Sequence, residues 1–143
     1  MENNNLRIDP QGSSFLSDVA KWAYFLSILG FIGIGLMILI GAFMGTFMSR
    51  LPGMPGGSAL PGTLMVIIYV FFGIIYFFPL YYLNRFAAKM KVALRNNDQE
   101  TLNGSLRFLK AHYQYIGILT LIGVAIYAIA LVAIIGVVGS ARM

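Results

Sequence analysis

Hydrophobic positions fall into three long runs, and the polar stretches between them differ in kind. The first run, from about Ala23 to Met48, holds about 26 residues without a charge. The second covers about 63–84 and the third about 115–140, again without a charged side chain. Each is long enough for an α-helix to cross a hydrocarbon core, which takes roughly 20 apolar residues. Ahead of the first run, Phe15, Leu16, Val19, Trp22 and Ala23 recur at three- and four-residue steps. This is an amphipathic lead into the span, with Ser13 or Ser14 as the expected cap. Residues 1–13 are polar and read as a flexible tail, and 14–143 as one transmembrane helical domain.

The connector over 49–62 reads SRLPGMPGGSALPG. Its prolines and glycines exclude a regular helix and predict an exposed loop, with re-entry into the membrane as the sharper reading. The second polar stretch, about 85–112, is different. Leu83, Phe86, Ala87, Met90 and Leu94 keep helical spacing, and Leu102, Leu106, Leu109, Tyr113 and Ile116 form a second stripe. Asn96–Asp98 marks a turn between them, with Asn97 or Asp98 as N-cap of the returning helix. Two amphipathic arms joined by a short turn make an αα-hairpin. The predicted fold is therefore all-α: an integral membrane three-helix bundle whose second and third helices extend into a cytoplasmic hairpin.

Composition agrees with membrane residence. Hydrophobic residues are 59% of the chain and charged ones 10%, against about 25% charged in a typical soluble domain. The first apolar run is too long for a cleavable signal and is expected to remain as a span. The charge distribution sets the orientation. Arg7, Lys21, Arg85, Lys89, Lys91, Arg95, Arg107 and Lys110 fall on the side of the hairpin, and only Arg50 and Arg142 on the other. Lys and Arg near short connectors favour the cytoplasmic face, so the N-terminus and hairpin are expected inside and the C-terminus outside. Arg85, Lys89, Lys91, Arg95, Arg107 and Lys110 are the candidate contacts for anionic head groups or a partner.

Small residues mark possible helix contacts. Gly41 and Gly45 form a GxxxG pair, while Ala130, Ala133, Gly136 and Gly139 recur every third residue. Such edges let backbones approach closely. The second span is rich in aromatics and contains Pro79, which lacks a backbone donor and predicts a kink near Ile75. A lipid or quinone cleft is one reading of that helix; packing and lipid contact are the more economical one.

Chemistry is conspicuous by what is lacking. Without cysteine there is no disulfide, thiol nucleophile or Cys-based metal site. Intramembrane proton relays use ionisable residues, and the spans have none. His112 stands alone and is expected as an interfacial residue. No P-loop, GxSxG or HExxH pattern occurs, and no carboxylate pair looks tuned for acid–base work. No cofactor, metal, nucleic acid or enzymatic activity is expected.

The Gly-rich span, the FFPLYYLNRFAAKMKVAL segment, the NND turn and the returning SLRFLKAHYQYIG together resemble a bacterial family of small multi-span membrane proteins of unknown function. The resemblance runs from about Trp22 onward. It implies a bacterial inner membrane and carries no active site. The expected role is a membrane scaffold or accessory subunit, self-associating or joined to a larger complex. The alternative is an oligomeric channel or transporter component, lined by Ser27, Thr46, Tyr69, Thr120 and Tyr127.

Overall fold

A computed structural model describes residues 8–48, 50–51 and 60–140. Three helices follow in order: α1 (Pro10–Met48), α2 (Leu60–Asn96) and α3 (Gln99–Ser140). No strand occurs among the described residues. All three helices are long and apolar enough to cross a membrane. Residues 1–7, most of the 49–62 connector and Arg142 lie outside the described residues, so the reading of a re-entrant loop falls there too.

Both helix starts depart from the sequence reading by a few residues, for local reasons. α1 begins at Pro10, ahead of Ser13, because Asp9 provides the cap: its Oδ1 accepts the Gly12 N–H at 2.7 Å. Proline then sits at the first helical position, where its missing N–H has no partner to lose. α2 takes Leu60, Pro61 and Gly62 into its first turn, so the connector is shorter than expected. Pro61 is tolerated there for the same reason. The helix then runs unbroken through Pro79.

The turn between α2 and α3 divides the roles of two residues. Asn97 has φ 50°, the left-handed conformation that asparagine tolerates better than most residues, and closes α2. The Asp98 N–H returns to the Ala93 carbonyl at 3.1 Å, completing a Schellman-type end. Asp98 is also the N-cap of α3. Its Oδ1 accepts the Glu100 N–H at 3.0 Å, and its Oδ2 accepts the Thr101 hydroxyl. These bonds favour the carboxylate and lower its pKa, the Thr101 side chain contributing most and the Glu100 N–H next.

α2 lies between α1 and α3, which make no close backbone approach to each other among the described residues. α1 and α2 are antiparallel along a seam of small residues. Ala20, Ala23, Ser27, Gly30, Gly41 and Gly45 fall at three- and four-residue steps or sums of such steps. A Cβ at Gly41 would meet Cγ of Tyr69 at 2.5 Å, and one at Gly45 would meet the Gly62 carbonyl oxygen at 2.6 Å. Gly30 is filled by Leu80 in the same way. Ser27, fully buried, accepts a hydrogen bond from Asn84 Nδ2 at 2.9 Å.

The core sits at the hairpin end. Ala20 and Ala23 of α1, Phe86, Ala87, Met90 and Ala93 of α2, and Leu102 of α3 form it, with Leu16, Leu83, Phe108 and Leu109 packed around it. Burying each large side chain, such as Phe86 or Met90, contributes about 1.5–3 kcal/mol in water. The amphipathic start of α1 is thus docked onto the hairpin, and three elements share this core.

Candidate functional site

Where α2 passes Pro79, it meets two polar side chains of α3. Proline lacks the N–H that would pair with the carbonyl four residues earlier, that of Ile75. The Tyr115 hydroxyl donates to that carbonyl at 3.1 Å. One turn away, His112 Nδ1 lies 2.7 Å from the Pro79 carbonyl oxygen, which can only accept, so Nδ1 donates. The two bonds clasp the proline turn of α2 to α3. His112, expected at the membrane edge, is only 9% exposed and bridges two helices.

Beside this clasp the three helices surround an open-sided cavity of about 540 Å³. α1 contributes Gly30, Gly33, Ile34 and Met37, and α2 contributes Tyr76, Pro79 and Leu80. α3 closes it with His112, Ile116, Leu119 and Thr120. The walls are mostly apolar and carry no Asp, Glu, Lys or Arg. Gly33 lies open on this side: nothing lies within 4 Å of where its Cβ would stand.

The six basic residues singled out by sequence lie exposed along the arms of α2 and α3. Three of them rest on aromatic faces. Arg85 stands 5.5 Å from the Tyr81 ring centroid and donates from Nε to Tyr81 Oη at 3.0 Å. Lys89 and Lys91 lie 5.0 Å from the Phe108 and Tyr24 ring centroids. Such contacts are worth about 0.5–1 kcal/mol at exposed sites and leave the charges accessible. Lys89 and Arg107 share a recess with Asp98 and Glu100, which balances the charge there. Among the described residues, the ion pair formed is between Lys21 and Asp18, outside this group.

The small-residue positions separate. Gly41 and Gly45 are consumed inside the chain by α2. Ala130, Ala133 and Gly136 lie on a segment of α3, residues 121–140, in which every position is exposed. The polar residues weighed as a pore lining also do not converge: Ser27 is buried against α2, Tyr69 covers Gly41, Thr120 borders the cavity and Tyr127 is exposed. No group of three or more His, Cys, Asp or Glu side chains suited to a metal occurs among the described residues.

The clasp was not among the sequence expectations, although a signal for it exists. In a hairpin folded at Asn97, Pro79 and Tyr115 are equally distant from the turn. A proline in one arm and a polar side chain at the matching height of the other predict the bond. Comparison with protein-family models, with curated proteins and with solved structures gives no match.

Proposed function

We propose that this chain is a non-enzymatic integral membrane protein that acts as a scaffold or accessory subunit. Three helices embed it, and the basic hairpin lies on the cytoplasmic side, against anionic head groups or a cytoplasmic partner. The bias of eight Lys and Arg residues toward the hairpin side and two toward the other supports that orientation, and the resemblance of the sequence suits a bacterial inner membrane. The reading rests on one observation: residues 121–140 of α3 are exposed at every position, and α3 makes no close backbone approach to α1 among the described residues. A lone apolar helix edged with Ala130, Ala133 and Gly136 is suited to a neighbouring transmembrane helix, from a second copy or a larger complex.

The absence of cysteine makes the test direct. Single cysteines at Ala133 and Gly136, and at Tyr127 as a control position, are crosslinked in native membranes. Discrete adducts at the first two positions and fewer at the third are expected. Uncrosslinked monomer at all three positions would overturn the reading.

A further inference from the structure

We infer that the cavity beside Pro79 binds a small, uncharged, hydroxyl-bearing apolar molecule taken from the membrane, whose O–H donates to Nε2 of His112. The argument starts from the ring. His112 is nine-tenths buried, and its Nδ1 is committed as donor to the Pro79 carbonyl. In the neutral imidazole the other nitrogen, Nε2, then carries a lone pair and can only accept. Among the described residues it makes no hydrogen bond, yet no buried side-chain nitrogen or oxygen there is left without a partner. Nε2 therefore keeps access to open space, and the space that His112 borders is this cavity.

The walls select the rest of the ligand. Ile34, Met37, Leu80, Ile116 and Leu119 offer only hydrocarbon and thioether surface. With no Asp, Glu, Lys or Arg at the walls, a charged or zwitterionic head group has no partner there. The polar groups at the walls, Nε2 of His112 and the hydroxyls of Tyr76 and Thr120, are all uncharged, and Nε2 among them can only accept, which fits a hydroxyl donor on an apolar body. The volume of about 540 Å³ falls among small-molecule sites, about 300–1,000 Å³, and the open side lets a longer tail continue into lipid. Gly33 supports the assignment. A glycine that serves helix packing has a neighbour in its Cβ position, as Gly30 has Leu80 and Gly41 has Tyr69. Gly33 has none and lines the cavity, so a side chain added there would extend into its space.

Two membrane sources share this chemistry: the free hydroxyl of an acylglycerol and the phenolic hydroxyl of a hydroquinone. The purified full chain in detergent is titrated with dioctanoylglycerol and, separately, with a short-tailed hydroquinone, each beside its O-methylated counterpart. Binding is read by native mass spectrometry and by the shift in unfolding temperature. At least one hydroxyl probe is expected to bind, and whichever binds names the source. Its methyl ether should bind roughly tenfold more weakly, the loss of one hydrogen bond. Gly33→Leu, whose Cβ position is open, projects its side chain into the space and should reduce binding at least tenfold while leaving the unfolding temperature unchanged or raised. His112→Phe should bring the hydroxyl probe to the affinity of its ether. Equal affinity of probe and ether, undiminished binding to Gly33→Leu, or no binding of either hydroxyl probe would each overturn the inference. It rests on the membrane placement proposed above, which alkaline extraction of native membranes reads separately. A chain that resists extraction but ignores both probes sinks the ligand alone.

Discussion

The clasp at Pro79 predicts an energetic coupling between two residues on different helices. Tyr115 donates to the Ile75 carbonyl at 3.1 Å, and that carbonyl lacks an in-helix partner only because residue 79 is proline. Tyr115→Phe removes the hydroxyl and keeps the ring packed against Phe78. Interhelical hydrogen bonds in membrane proteins average about 0.6 kcal/mol and reach about 1.7. Here the acceptor is left without any partner, so a cost of about 1 kcal/mol is expected. Pro79→Ala restores an N–H that can close the helix bond to Ile75. In that background Tyr115→Phe should cost close to nothing, giving a coupling energy of about 1 kcal/mol. His112→Phe serves as the internal control. Its partner is the Pro79 carbonyl, which alanine retains, so its cost should be the same in both backgrounds. Reversible unfolding in mixed micelles of rising dodecyl sulfate fraction, followed by far-UV circular dichroism, gives each corner of the cycle. If Tyr115→Phe costs the same in both backgrounds, within about 0.3 kcal/mol, the clasp does not work as described.

Two further predictions use the same unfolding assay. Gly45→Ala places a methyl 2.6 Å from the Gly62 carbonyl oxygen and must part α1 from α2, whereas Gly35→Ala meets nothing within 4 Å. The first should lose about 1–3 kcal/mol and the second gain up to about 1 kcal/mol; equal effects would remove the small-residue seam as the basis of packing. Asp98 has a folded pKa below its ordinary value of 3.8, so its capping contribution is fully present above that pH and is lost as pH falls through the folded value. The acid limb of stability below about pH 4 should therefore flatten in Asp98→Asn, and an unchanged limb would show that the cap does not contribute to it.

Much of the architecture was readable from periodicity, because it depends on length and on local rules. Three uncharged runs of sufficient length can only be accommodated as apolar helices, and the switch to amphipathic spacing after Tyr82 announces the arms of the hairpin. The turn at Asn97–Asp98 was legible because asparagine and aspartate have distinct backbone chemistry. The start of α1 was misplaced because Asp9-Pro10, a stronger cap and first-turn pair than Ser13-Ser14, was read as tail. Gly41 and Gly45 were recognised as an association edge, but their spacing does not say whether the neighbour belongs to the same chain.

The sequence by itself determined the class of object: three long apolar helices, the last two joined through polar, basic arms. Each of these follows from composition and from spacing along one helix. Only the tertiary structure decided which faces meet. It assigned Gly41 and Gly45 to α2 and left residues 121–140 of α3 exposed at every position. It also joined His112 to the Pro79 carbonyl of the neighbouring helix, beside the cavity. The physical reason is that helix spacing repeats nearly every seven residues, so one pattern is compatible with several rotations and neighbours. The choice among them is made by contacts between residues far apart in the chain, such as Leu80 against Gly30 and Tyr115 against Ile75.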